Sequence, residues 1–156
     1  MQCKKEDSKK KNELPAATQE GRNTFGFLLN GEVWRPEGKL LDQILDLSYD
    51  PSWMGGALSI KADQLISNGN VMNIAIGGIG ISKPGTYNLT SYMNVYYSDS
   101  KNECSYDENS TVSGFITITR FDLSAKIISG TFHFKLEKDG CETIDATDGR
   151  FDMRIE

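Results

Sequence analysis

Residues 117–134 read Thr117-Ile-Thr-Arg-Phe-Asp-Leu-Ser-Ala-Lys-Ile-Ile-Ser-Gly-Thr-Phe-His-Phe134. β-Branched and aromatic residues stand on both sides of a polar break at 122–125, the pattern of a β-hairpin. Side chains alternate along a strand, so Ile128, Phe132, Phe134 and Leu136 are expected on one apolar face. His133, the one histidine of the chain, then points outward with Thr131 and Lys135. No nucleophile motif such as G-x-S-x-G accompanies it, and it reads as a surface histidine rather than a general base.

The same period of two recurs on either side of this hairpin. Residues 24–30 form a first strand, Asn30-Gly31 is a strong hairpin dipeptide, and residues 32–35 are the return. Residues 39–47 carry both periods. Leu40, Leu41, Ile44 and Leu45 have helical spacing, whereas Leu45, Leu47 and Tyr49 alternate, and the strand reading is preferred for 44–49. Leu58, Ile60 and Ala62 alternate with polar residues, as do Met72, Ile74 and Ile76. Residues 86–90, 93–98, 112–121, 126–137 and 150–156 follow, with Gly, Asn, Asp or Ser between them. Strands this closely spaced, without long helical stretches, predict an all-β fold, an antiparallel β-sandwich or barrel of about 8–10 strands. Gly85-Thr-Tyr-Asn-Leu89, Gly130-Thr-Phe-His-Phe134 and Gly149-Arg-Phe-Asp-Met153 echo one another at unequal spacing. They read as three strands entered through a glycine bend, not as a repeat.

The N-terminal stretch is of another kind. Residues 1–23 show neither period, and Pro15 and Gly21 break them, which predicts a disordered, flexible tether over 1–23 and a single β domain over 24–156. Twenty such residues reach about 65 Å when stretched and about 25 Å as a coil. Residues 1–13 hold five Lys against three acids, a net of +2, so the 17 basic and 22 acidic residues of the whole chain leave −7 for the remainder. An acidic body without an Arg-rich stripe argues against nucleic acid. The longest apolar run, 71–81, falls short of the ~18 residues of a membrane span.

Composition excludes several chemistries. A single His rules out three-histidine zinc sites and paired-histidine acid–base work. Carboxylates gather at 99–109 and 145–149, but their spacing does not fit a calcium loop, and they read as solvated turns. No catalytic residue, metal site or cofactor is expected. Trp34, Trp53, Tyr92 and Tyr96, with Tyr106, are more large aromatics than the inward faces accommodate, and several lining one patch would suit stacking on a sugar ring or enclosing an apolar ligand. Of the three cysteines, Cys3 lies in the tail and Cys104 and Cys141 in the body. A Cys104–Cys141 disulfide would close a loop of about 37 residues and contribute roughly 3 kcal/mol in an oxidising compartment. Free thiols are the alternative.

Cys3 followed by a polar tether, then Glu13-Leu-Pro-Ala-Ala-Thr-Gln-Glu-Gly-Arg-Asn-Thr-Phe-Gly26 and Asn30-Gly-Glu-Val-Trp-Arg-Pro36, resembles a family of uncharacterised lipoproteins of Bacteroidota, a domain of unknown function. Ile127-Ile-Ser-Gly-Thr-Phe132 and Asp148-Gly-Arg-Phe-Asp152 resemble it too, so the similarity runs from Leu14 over nearly the whole chain. The resemblance implies that Cys3 is the lipidated first residue of the mature protein, behind a removed signal peptide. Lys5-Glu6-Asp7 resembles the signals that send such lipoproteins to the outer face of the outer membrane, with the periplasmic face as the alternative. The expected function is a membrane-anchored, non-enzymatic binding or structural module, whose partner is an unidentified protein, glycan or small molecule. The alternatives are a lipocalin-like carrier of a small apolar ligand and a carbohydrate-binding accessory protein.

Overall fold

The computed structural model describes residues 12–90, 92–107 and 110–156. Cys3 and residues 5–7 lie outside them. In chain order the strands are β1 (Thr24–Leu29), β2 (Glu32–Trp34), β3 (Leu45–Asp50), β4 (Ala57–Leu65), β5 (Val71–Gly78), β6 (Gly85–Asn88), β7 (Met93–Asp99), β8 (Cys104–Tyr106), β9 (Thr111–Asp122), β10 (Ile127–Glu137) and β11 (Ile144–Arg154). They form a six-stranded sheet, β2-β1-β11-β10-β9-β6, and a five-stranded sheet, β3-β4-β5-β7-β8. Every ladder is antiparallel. Each sheet keeps two edges, so the chain is a sandwich and not a barrel. There are eleven strands among the described residues, and the one that alternation does not show is β8, too short at three residues to display a period.

The core lies between the sheets. From the five-stranded side come Leu58, Ile60, Ile74, Ile76 and Val95, and from the six-stranded side Phe25, Phe27, Ile116, Phe132, Phe134 and Phe151, all in one cluster. Phe25, Phe27, Trp34, Phe132 and Phe134 touch ring to ring with centroids 5.1–6.1 Å apart. Aromatic pairs at such separations add to what burial alone contributes.

The 117–134 stretch is the β9–β10 hairpin, with Asp122 Oδ1 accepting from Ala125 N at 2.9 Å in its turn. Residues 45–50 are strand, as the alternation of Leu45, Leu47 and Tyr49 predicts. Two expectations are corrected. Residues 145–149 are part of β11 rather than a turn, with Asp145 and Asp148 exposed on it. Gly130 and Gly149 are not strand-entry bends but lie inside β10 and β11. A Cβ on Gly130 would lie 2.2 Å from Thr117 O, and one on Gly149 would lie 2.4 Å from the Phe132 ring. Both sit close to register shifts, so the glycines let a bulged backbone and a ring come together.

Residues 13–22, placed in the tether by their composition, are laid along the outer face of the six-stranded sheet. Arg35 Nη1 donates to Glu13 O at 3.1 Å, Arg150 Nη1 to Pro15 O at 3.3 Å and Arg120 Nη1 to Gln19 O at 2.5 Å. The anchor of this strap is Asp152. Its Oδ2 accepts from Thr18 Oγ1 (2.6 Å), Glu20 N (3.0 Å) and Arg22 N (3.2 Å), and its Oδ1 from Gly21 N (2.7 Å) and Ser129 Oγ (2.7 Å). Gly21 has φ +71, and a Cβ there would lie 2.9 Å from Ile127 Cγ1, so the strap closes over Ile127 only because that position is glycine.

Burial of Asp152 opposes its ionisation, but the hydrogen bonds from Thr18, Ser129, Glu20 and Gly21 outweigh it and hold the carboxyl well below the usual carboxylate range. A folded-state pKa below the unfolded value of about 3.9 gives stability that is complete above that value and is lost as the pH falls below it. Asp152→Asn is therefore expected to cost about 3 kcal/mol, or roughly 10 °C in Tm, at neutral pH. In thermal melts from pH 8 downward the gap between native chain and variant stays constant to about pH 5, then narrows below about pH 4. A gap that is absent at pH 7, or that widens in acid, contradicts this account of the strap.

Candidate functional site

With one outer face strapped, the other is open. Outward positions of the five-stranded sheet fall into cross-strand rows set by its registers. One row runs Asp63, Asn73, Ser98, Ser105 across β4, β5, β7 and β8. The next runs Asp46, Lys61, Ala75, Tyr96 across β3, β4, β5 and β7. The third runs Ser48, Ser59, Gly77, Asn94. Small residues on central β5 leave a trough between Lys61 and Tyr96. This is a groove of about 340 Å³, and it includes Asp63, Asn73 and Ser98. A second depression of about 440 Å³, with Gln43 and Asp46, shares Lys61 and Asp63 with it, so the two meet over β4.

The first row is a hydrogen-bonded chain. Ser98 Oγ donates to Asn73 Oδ1 at 3.2 Å, and Asn73 Nδ2 donates to Asp63 Oδ1 at 2.6 Å. Asp63 Oδ2 and the Lys61 ammonium have no partner among the described residues. Beside them the Tyr96 ring is 42% exposed. At the β3 end, a hydrogen bond with Asp46, together with burial and the like charge, raises the Glu156 carboxyl above its ordinary value, against a donated bond from Gln43 Nε2 at 2.7 Å. The face thus offers a ring, hydroxyls, an amide, a cation and carboxylates on a rigid support.

The aromatics singled out from sequence part company. Trp34 is a correction, for it is not a ligand contact: it is 2% exposed and stacks on Phe27 with centroids 5.1 Å apart. Its Nε1 has no partner among the described residues, which burial among phenyl rings explains. Tyr106 is likewise buried, tilted against Tyr97 at 5.8 Å. Trp53 and Tyr92 are exposed at one end of the sandwich, where Met54 O accepts from Gly80 N and Tyr92 O accepts from Ile79 N. Tyr96 lines the groove with an exposed ring, and the buried Tyr106 contributes to the same lining.

His133 lies outward, with Nε2 3.5 Å from Asp145 Oδ1, and its ring is 6.1 Å from that of Phe115. Asp99, in the acidic 99–109 stretch, is buried rather than solvated. It accepts from Lys101 N, Asn102 N and Asn102 Nδ2 at 2.9, 3.3 and 2.6 Å, which fixes the β7–β8 turn. Among the described residues no three His, Cys, Asp or Glu side chains are grouped to hold a metal ion.

Cys104 and Cys141 form a disulfide, Cα to Cα 5.9 Å, that ties β8 of one sheet to the β10–β11 loop of the other. Tyr106 Oη and Lys138 Nζ add cross-sheet bonds there, to the carbonyls of Glu142 and Ser105. A depression of about 320 Å³ opens beside it, lined by Tyr97, Asp99, Cys104, Cys141 and Glu142. Burial, with Asp99, Tyr106 and Glu142 nearby, pushes the Tyr97 hydroxyl far above its ordinary pKa and keeps it neutral.

These features define a class: a two-sheet antiparallel β-sandwich with one strapped face and one open, grooved, polar face. More particularly, a family model described as Domain of unknown function (DUF6252) matches residues 54–153, and the chain belongs to that family. The match spans β4, β5, β7 and β8, the strands that build the groove. No curated protein and no solved structure matches the chain.

The disulfide closes a loop of 37 residues between the sheets, so its reduction is expected to cost roughly 3 kcal/mol. Differential scanning calorimetry with and without reductant checks this, with a loss of about 10 °C in Tm expected on reduction and in the Cys104→Ser/Cys141→Ser variant alike. An unchanged Tm in both would show that the remaining cross-sheet contacts hold this end unaided.

Proposed function

We propose that the chain is a non-enzymatic binding module, displayed in the cell envelope through a lipid on Cys3, whose ligand face is the outer face of the five-stranded sheet. The observation that carries this reading is the asymmetry of the two outer faces: residues 13–22 cover one, and the other presents the groove around Tyr96. An address on the outer membrane, on its outer or periplasmic face, follows from the resemblance of the N-terminal residues to lipoproteins of Bacteroidota. The Cys104–Cys141 disulfide is in keeping with that address, since disulfides persist in oxidising compartments. The strap shortens the tether: the chain from Cys3 to Glu13, where Arg35 first holds it, spans at most about 35 Å extended. The carrier reading loses ground, because buried side chains of both inner faces form one hydrophobic cluster where a lipocalin-like interior would be open.

Two measurements test the two halves of the proposal. Protein expressed from its full gene in its own host should carry a lipid mass on Cys3 and partition into detergent, and Cys3→Ser should leave it in the aqueous phase. For the face, amide spectra of the soluble chain titrated with oligosaccharides, peptides and fatty acids should show shifts confined to β4, β5, β7 and β8. Shifts at Phe27 and Phe132 with a fatty acid would instead make the protein a carrier, and silence with every class would remove the binding role.

A further inference from the structure

We infer that the groove takes an extended, uncharged polysaccharide lying across the strands, with Tyr96 stacked on one sugar ring and the Asp63-Asn73-Ser98 row bound to the hydroxyls of the chain. This deepens the binding reading above and rests on it.

The chemistry of the face narrows its ligand by elimination and by fit. Cross-strand ladders use the backbone N–H and C=O groups of β4 and β5 on both sides, and those of β7 toward β5 and, at Tyr97–Asp99, toward β8, so a ligand over the middle of the face meets side chains. A peptide adding itself as a strand would need an edge instead. Lys61 is the one cation of the rows, against Asp46 and Asp63, so a phosphate or uronate chain meets more negative than positive charge. Away from Tyr96 the rows hold Ser48, Ser59, Asn73, Asn94 and Ser98, which is no surface for an acyl chain.

A neutral sugar chain matches each part. Its hydroxyls donate and accept, and the row supplies both. Asp63 Oδ2 is an open acceptor, Lys61 an open donor, and the Ser98 oxygen keeps acceptor capacity while its proton is committed to Asn73. The Ser98-to-Asn73-to-Asp63 chain orients these groups before the ligand arrives, which lowers the entropy lost on binding. From β7 to β4 is two strand spacings, about 10 Å, comparable with a disaccharide. Tyr96 lies two residues before Ser98 on the same face of β7, so a ring stacked on it leaves the neighbouring sugar over Ala75 and the row. Shared lining by Lys61 and Asp63 carries the groove on toward Asp46, giving room for a longer chain.

Affinity electrophoresis of the full, unlipidated chain in native gels tests this. The gels contain amylopectin, mannan, xyloglucan or laminarin, with polygalacturonate as the anionic comparator. At least one neutral polymer should retard the protein. Tyr96→Ala should raise the apparent Kd about tenfold or more, and Tyr96→Trp should restore retention, showing that a ring rather than the fold is at issue. Asp63→Asn and Asn73→Ala should each weaken retention roughly three- to tenfold, while Phe115→Ala, an exposed ring on the other sheet, should leave it unchanged. Retention by polygalacturonate alone, no retention by any neutral polymer, or retention untouched by both Tyr96→Ala and Asp63→Asn overturns the proposal. Should the amides of β4, β5 and β7 then shift only with peptides, the binding role stands with a different ligand. Should they shift with nothing, that role falls too.

Discussion

Asp152 is a carboxylate with 1% of its surface exposed, near the C-terminal end of β11 and on a face where a charge would ordinarily meet water. An ionised group removed from solvent costs several kcal/mol unless its oxygens are hydrogen-bonded, and five donors meet that need here. Four of the five come from residues 18–22, so the charge and the strap require each other. Without the strap Asp152 would be solvated and Ile127 exposed; without Asp152 the strap would keep peripheral arginine-to-carbonyl bonds, most of them exposed. The closed face and the contrast with the open one both follow from this one cluster.

At the disulfide end a second constraint acts between the layers. The disulfide, Tyr106 to Glu142 and Lys138 to Ser105 all join β8 or its flank to the β10–β11 loop, holding the edge of the five-stranded sheet against the other layer. At the other end Tyr49 Oη donates to Ile81 O at 2.7 Å, and its ring meets Phe121 edge-on with centroids 5.2 Å apart. A sheet pinned at both ends over an aromatic core keeps its outer rows in register, and a groove formed by cross-strand rows depends on that register.

How much of this the amino-acid sequence reveals depends on the range of each interaction. Period-two alternation is local, and it identifies the β9–β10 hairpin, the Asn30-Gly31 turn, the buried sides of β4 and β5 and the existence of β7 correctly. Asp152 defeats it: in Phe151-Asp152-Met153 the acid takes the expected solvent position, and nothing nearby announces a strap more than a hundred residues earlier in the chain. Trp34 reads as a spare aromatic because β2 is too short to show which face it presents. The groove fails for a related reason. Lys61, Asp63, Asn73 and Ser98 look like unremarkable outward residues until the registers of β4, β5 and β7 place them side by side. Of the groove's lining the sequence singles out Tyr96 and Tyr106, through their size.

The edges bear on why the proposed binding is assigned to a face. An open strand invites pairing with another chain, and three of the four edges here are short: β2 and β8 have three residues and β6 has four. The fourth, β3, carries Asp46 and Asp50, and its Leu47 O accepts from Glu156 N at 3.1 Å. Short or charged edges discourage strand addition, and the strap occupies the outer face of the larger sheet. For the binding role proposed above, what remains is the plane around β4 and β5, where the backbone is bonded on both sides and only side chains can discriminate. A surface of that kind favours ligands rich in hydroxyls, since each contact is a modest hydrogen bond and affinity has to accumulate along a chain.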